Sequence, residues 1–484
     1  MSRFAPVFRA LGMIIMLFAL TMLLPLAWSW ISDDGAQSSY DEAFGLTMLS
    51  GLGLWYRNRY EKRELQVRDG FLMVVLVWTL LPAFSTLPLM LQLHISFTDA
   101  YFETMSGLTT TGSTVLSGLD TLPESINLWR HQLVWLGGMG LIVLAIAILP
   151  RLGVGGRAMF KAETAGPMKD SKMTPRIAQT AKGLWAVYMV VSVACILGYY
   201  WAGMTWFDAI CHAFSTMGLG GFSTHDASFG YFDSPAIEMV AVVFMLIAGM
   251  NFAMLYLAVA SRSLTPYMRD PEAPWFLAVT LGSVLLVSFY IWANGTYDSE
   301  ATALRHALFN VVSIATTTGY ASVDYALWPM FAPIWMLFLS SFATSAGSTG
   351  GGIKMIRALL LYKQFYRELV RAMHPSAVYN VRIAGQVMPQ NILFAALSFG
   401  FVYMVSIVSL TLLMVFSGLD IISSFTAVVA SINNTGPGLG VVGPSTTYEI
   451  LTDFQTWVCT FAMLLGRLEL FTLLVVMTPA FWRK

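Results

Sequence analysis

Charge is scarce in this chain. Of 484 residues, 11% are Asp, Glu, Lys or Arg and 57% are hydrophobic. A soluble domain places about 25% of its residues in those charged types to cover its surface. A water-soluble fold is therefore excluded, and an exterior solvated by lipid is implied. Basic and acidic residues are equal at 27 each, so no excess of positive charge points to nucleic acid. Cysteine is rarer still. Cys195, Cys211 and Cys459 show neither metal-ligand spacing nor an even framework, and they read as small packing residues. The six histidines also lack metal spacing. Paired carboxylates and a nucleophile constellation are missing, so neither enzyme chemistry nor a cofactor is expected. The first apolar run lacks a small-residue cleavage site before Asp33 and reads as a retained helix.

What the chain has in quantity is long apolar runs. They fall near residues 11–31, 44–55, 71–93, 133–150, 184–202, 239–260, 275–293, 331–342, 392–416 and 457–482. Each crosses, or nearly crosses, a hydrocarbon core of about 30 Å. The run at 331–342 is short. SAGSTGGG follows it, and then a more amphipathic run at 353–366, a pattern that reads as one broken helix. The expectation is ten membrane helices. With the N-terminus inside and one crossing per run, 24 of the 27 lysines and arginines lie on the inner side. Only Arg130 and Arg305 lie outside, and Arg467 falls within a helix. The positive-inside rule favours this topology and places both termini in the cytoplasm.

The outer connections carry an internal repeat. Four semi-apolar stretches too short to span read FTDAYFETMSGLTTTG, TWFDAICHAFSTMGLGG, ATALRHALFNVVSIATTTG and DIISSFTAVVASINNTG. They end at Gly112, Gly221, Gly319 and Gly436, which are 109, 98 and 117 residues apart. Asp99-Ala100 and Asp208-Ala209 stand at the same distance before the final glycine in the first two copies. Ser106, Ser215 and Ser313 lie six residues before it in three copies, with Ala430 in the fourth. A period of this size marks a repeated structural unit, here helix, pore loop, helix. The fold class expected is an all-α polytopic membrane protein: four such pseudo-repeats around one pore, plus two N-terminal accessory helices. Residues 1–70 form the accessory pair. Residues 71–160 are pore repeat 1, and 161–265 are repeat 2 with a preceding cytosolic loop. Residues 266–385 are repeat 3, and 386–484 are repeat 4.

Irregular backbone at membrane depth is tolerated only in a protein-lined or water-lined setting. Four loops around an axis can aim carbonyls at a dehydrated cation in place of water. Residues 109–112, 218–221, 316–319 and 433–436 are the candidate strands. They hold no ring of ionised side chains, which favours a monovalent over a divalent cation. The short helices before them would turn their negative dipole ends toward the pore. Eighteen acids lie on the outer side, Asp120, Glu103, Asp208, Asp226, Glu238 and Glu449 among them. They read either as a cation-concentrating mouth or as ordinary solvated loop acids.

The four glycine-closed loops resemble the Trk/Ktr/HKT superfamily of potassium transporters. The segments AETAGPMKDSKMTPRIAQTAKGLW at 162–185, GGFSTHDASFGYFDSP at 220–235, AGSTGGGIK at 346–354 and GRLELFTLL at 466–474 are similar to its TrkH/TrkG-like pore subunits. The resemblance covers essentially the whole chain. It implies potassium uptake through a channel-like pore, with K⁺ as the bound substrate ion at Thr111, Gly112, Gly220, Gly221, Thr318, Gly319, Thr435 and Gly436. It implies a homodimer in the bilayer of the bacterial inner membrane, and a cytosolic TrkA-like partner with nucleotide-binding RCK domains. GLGG and NNTG depart from TTTG, so the pore is only pseudo-fourfold. AGSTGGGIK lacks the Gly-Lys-Ser/Thr of a phosphate-binding loop. Its three consecutive glycines destabilise a helix. The resemblance makes 345–354 the intramembrane gate, with Gly347, Gly350, Gly351 and Gly352 as its flexible residues. A mid-helix arginine costs about 2.5–3.5 kcal/mol on insertion scales. Arg467 is therefore expected to face a partner, and the glycine loop is the candidate. The alternative to a channel is a symporter coupled to H⁺ or Na⁺, for which Glu469 is the only obvious intramembrane carboxylate.

Overall fold

The structure, a computed structural model, describes residues 4–483 apart from 62, 64 and 141–176. Most of the 162–185 motif and the basic residues Lys161, Lys169, Lys172 and Arg176 lie outside the described residues.

The chain is helical. The first membrane helix runs through Ala5–Thr21 and Leu23–Ser32, with Met22 as the joint. Gln37–Asn58 returns against it. The two approach closely because each presents a glycine. A Cβ on Gly12 would lie 2.7 Å from the Gly51 carbonyl oxygen, and one on Gly51 would lie 2.9 Å from that of Gly12.

Four helix, short helix, helix units follow. The first is Val67–Leu93, Phe97–Leu108 and Glu124–Met139. The second is Ile177–Ala202, Trp206–Gly218 and the pair Pro235–Gly249 with Phe252–Ser261. The third is Ala273–Ala293, Glu300–Ala315 and the separated helices Phe331–Ser340 and Met355–Met373. The fourth is Gln390–Phe416, Ile421–Ile432 and the pair Asp453–Arg467 with Phe471–Met477. A two-stranded antiparallel hairpin, Arg382–Ile383 with Gln386–Val387, joins the third unit to the fourth. It escaped the sequence reading because it is only two residues per strand.

Among the described residues, five helices are long and apolar enough to cross a membrane, or seven if each bent pair is one span. The three other expected spans fall short for separate reasons. Gln37–Asn58 has 22 residues but carries Asp41, Glu42 and Arg57. Glu124–Met139 is described for 16 residues only. Phe331–Ser340 stops after 10, at the glycine-rich break. The single runs expected at 239–260 and 457–482 are in fact bent, by 98° and 112°. In the first, the Asn251 side chain accepts from the Ala253 N–H (2.8 Å) and starts a new helix. In the second, Glu469 and Leu470 adopt positive φ and cannot continue the old one.

Candidate ion pathway

The four short helices are each started by a polar residue. Ser96, Thr205 and Asp420 accept a hydrogen bond from the backbone N–H three residues on. Such caps satisfy donors that a buried helix end would leave unpaired. Asp99 and Asp208, noted as a repeated pair in the sequence, complete the first two caps: Ser96 and Thr205 donate to their carboxylates at 2.7 Å.

The strands after these helices share one backbone form. The residue two before each terminal glycine is left-handed: Thr110 (φ 58°), Leu219 (57°), Thr317 (60°) and Asn434 (53°). The terminal glycines Gly112, Gly221, Gly319 and Gly436 also have positive φ, at 82°, 61°, 91° and 100°. Alternating hands turn successive carbonyls toward one side. For a non-glycine residue each left-handed position costs about 1–3 kcal/mol, and such strain persists only where the surroundings enforce it. Here the residue between is pinned by its own helix. Thr111, Gly220, Thr318 and Thr435 donate their N–H to the carbonyls of Ser106, Ser215, Ser313 and Ala430, at 2.8–3.0 Å. The contact uses backbone only, which is why alanine serves in the fourth copy where the others have serine.

The strands meet in a ring. A Cβ on Gly112 would clash with the Gly220 carbonyl oxygen, one on Gly221 with that of Thr318, and one on Gly319 with that of Thr435. One on Gly436 would lie 2.8 Å from the Thr111 oxygen and close the circle. The eight residues picked from sequence are thus brought together, each terminal glycine against a neighbouring strand. All four glycines line the floor of one cavity of about 250 Å³, whose wall includes Ser113, Ser223, His225, Asp226 and Tyr448.

Behind the ring lies a set of ties that the sequence reading missed. Nine residues before the terminal glycine, in three units, a buried polar side chain reaches the segment just past the strand. Glu103 accepts from the Val115 N–H and the Thr114 hydroxyl at 3.0 Å. His212 meets the Ser223 hydroxyl at 3.0 Å, and Asn310 bonds Ser322 through N–H and hydroxyl. The fourth unit has Ala427 there and uses its neighbour Thr426, which accepts from the Leu439 N–H (2.9 Å). The common spacing before each glycine was the available signal.

The outer acids are not all at the mouth. Glu103 pairs with Arg130 at 2.8 Å, both 1% exposed, and buried Glu238 pairs with Arg305 at 2.7 Å. The two cations expected on the outer side, Arg130 and Arg305, are therefore both held in ion pairs. Asp226 lines the cavity, where it accepts from the Leu119 N–H, and Glu449 accepts from Ser117 at the rim.

The glycine-rich segment packs against the other end of the strands. The Gly351 N–H donates to the Thr317 hydroxyl (2.9 Å), and a Cβ on Gly351 would clash with the Asn433 carbonyl oxygen. One on Gly350 would sit 3.0 Å from the Thr316 oxygen. Gly352 lies on the carbonyls of Ser340 and Ser341. Gly347 is turned away from the strands, onto Asn251 at the second-unit bend, where its carbonyl accepts from the Phe252 N–H. A single buried carboxylate, Glu272, accepts from the N–H groups of Ala346 (2.8 Å) and Ile356 (3.1 Å), one on either side of the loop.

Arg467 reaches this loop. Its guanidinium donates to the Thr349 carbonyl (3.1 Å), the Thr110 hydroxyl (3.3 Å) and the carbonyls of Gly137 and Gly138, and it lies over the Trp78 ring. It thus joins the loop to the first and fourth units. Glu469, for which the sequence offered no partner, pairs with Arg357 at 2.8 Å, at the start of the helix that follows the loop. Among the described residues no group of histidine, cysteine and carboxylate side chains is arranged to hold a metal.

The TrkH family model, described as a cation transport protein, matches residues 39–484. The chain belongs to this family. It is 47% identical to the Trk system potassium uptake protein TrkH of Salmonella typhimurium, over 99% of this chain and 100% of that one. It is 38% identical to the Trk system potassium uptake protein TrkG of Escherichia coli, over 98% and 97% of the two chains. Its fold matches the crystal structure of the potassium transporter TrkH from Vibrio parahaemolyticus with a TM-score of 0.90 and 44% identity, covering both chains fully. The family is one of transporters and not of enzymes, and the chain is a membrane protein with several apolar helices.

Proposed function

We propose that this chain takes up potassium through a channel-like pore whose filter is the ring of four strands. The observation that carries this is the cyclic packing of Gly112, Gly221, Gly319 and Gly436, each against a carbonyl of another strand. K⁺ would be held by backbone oxygens at Thr111, Gly112, Gly220, Gly221, Thr318, Gly319, Thr435 and Gly436, which replace its water. The units are four pseudo-repeats, and with the accessory pair they make ten membrane helices. The protein is placed in the bacterial inner membrane with both termini cytoplasmic, in line with the lysine and arginine distribution.

The loop at 345–354, with Gly347, Gly350, Gly351 and Gly352, acts as the gate below the filter, and Arg467 restrains it. A homodimer and a cytosolic TrkA-like regulator with nucleotide-binding RCK domains complete the assembly, as the Trk system names of the relatives suggest. Glu469 would be the natural proton carrier in a coupled symporter. Its ion pair with Arg357 supports the channel instead. The test is growth of a potassium-uptake-deficient strain at low K⁺. The wild-type chain is expected to restore growth, and Gly112→Ser to restore it poorly. Equal growth with both would contradict the filter assignment.

A further inference from the structure

We propose that Glu103 and Arg130 are a positioning pair that sets the ion selectivity of the first strand. The inference rests on the filter reading above. Both side chains are 1% exposed and meet at 2.8 Å. Arg130 also lines the cavity above the ring, but the hydrogen bonds of both side chains go to other residues than the four terminal glycines. They act through the segment that leaves the ring.

Glu103 receives the Val115 N–H and, on both carboxylate oxygens, the Thr114 hydroxyl at 3.0 Å. Arg130 adds bonds to the Asn127 side chain (3.0 Å), the Thr114 hydroxyl (3.3 Å) and the Ser223 carbonyl of the second unit (3.4 Å). Its guanidinium also lies 4.4 Å from the centre of the Phe222 ring, next to Gly221. Thr114 passes the restraint to the fourth unit, because its carbonyl accepts from the Tyr448 N–H (2.8 Å). Tyr448 and Ser113 in turn both donate to the Gly436 carbonyl at 2.9 Å. One buried pair therefore fixes the outer ends of strands one, two and four.

The equivalent positions in the other units are His212, Asn310 and Ala427, none of them ion-paired in this way. Charge-assisted bonds are shorter and stronger than neutral ones. The first strand is accordingly the one held by a charged pair, and a filter that discriminates by ion size depends on carbonyls that do not follow the smaller ion inward.

The test is the reversal potential under bi-ionic K⁺/Na⁺ conditions in planar bilayers, for wild type, Glu103→Gln and Thr114→Val. Gel filtration confirms that each protein is folded. Glu103→Gln keeps shape but loses the ion pair. Thr114→Val keeps the ion pair and the Val115 N–H bond but loses the hydroxyl that Glu103 and Arg130 share. Each folded variant is expected to lower the K⁺ over Na⁺ permeability ratio on the order of tenfold, the effect of losing one strong hydrogen bond, with cation current still measurable. A folded variant with the wild-type ratio would overturn the proposal. If Glu103→Gln does not fold, Thr114→Val alone decides. A wild-type protein without potassium preference would instead sink the filter reading on which the proposal rests.

Discussion

Arg467→Ala should open the pore. The guanidinium makes its bonds to two kinds of partner. Those to Gly137 and Gly138 join parts of the framework and that to the Thr110 hydroxyl reaches the first of the four strands, while that to the Thr349 carbonyl (3.1 Å) holds the glycine loop. Loop release breaks only the last. A hydrogen bond from a charged donor contributes about 1.5–3 kcal/mol. That corresponds to a shift of roughly 10- to 150-fold in the equilibrium between docked and released loop. Rubidium uptake into proteoliposomes containing the chain without any regulator should rise by a comparable factor, until the released state saturates. The substitution also leaves the Gly137 carbonyl without this donor, so thermal melting must be measured alongside. Folded protein with unchanged rubidium uptake would refute the restraining role.

Three other outcomes follow from the geometry. Gly351→Ala places a Cβ on the Asn433 carbonyl. Overpacking of this kind costs about 1–3 kcal/mol, so the loop should undock and rubidium leak should rise; unchanged leak and melting would contradict the packing. Glu469→Gln strips the buried Arg357 of its half-buried charge partner (2.8 Å) and should lower the melting temperature, whereas Glu469→Leu with Arg357→Met should recover most of it, because a largely desolvated pair replaced whole loses little. In the outer loop, His225 lies between the carboxylates of Asp120 and Asp208 and stacks on Tyr231. Burial opposes its charge, but the two carboxylates outweigh burial and raise its pKa above the ordinary 6.5. Burial likewise opposes ionisation of Asp120, yet bonds from His225 and the Asp226 N–H outweigh it and hold the group below the usual carboxylate range. The raised histidine stabilises the fold fully below its ordinary pKa, and that contribution is lost as pH rises through the raised value. The lowered aspartate stabilises above the carboxylate range, and its contribution is lost as pH falls. Melting temperature should therefore fall on the alkaline side, and His225→Gln should flatten that limb; identical alkaline limbs would count against the cluster.

The parts of the site that sequence disclosed are those that backbone chemistry forces. A strand that must turn carbonyls inward needs positive φ, so each one ends in glycine, and the spacing of Gly112, Gly221, Gly319 and Gly436 exposed the ring. Arg467 stood out because a mid-membrane arginine must find partners. The hidden parts are long-range pairings. Glu103 and Arg130 looked like one more outer acid and one of two outer cations. Only the packing of Phe97–Leu108 against Glu124–Met139 brings them together. Glu469 meets Arg357 because the chain bends by 112° after Arg467, at two residues whose type gives no notice of it. Hydropathy ran straight through both bent spans, since it records apolar length and not the capping by Asn251 that divides one of them.

The measurement closest to the central claim is the reversal potential of the purified wild-type chain as K⁺, Na⁺ and H⁺ gradients are varied one at a time. A pore lined by four carbonyl strands gives a potential that follows the K⁺ gradient, and Gly112→Ser, whose Cβ would clash with the Gly220 carbonyl, weakens that dependence. A potential that follows the H⁺ or Na⁺ gradient, or that is the same in Gly112→Ser, would contradict it.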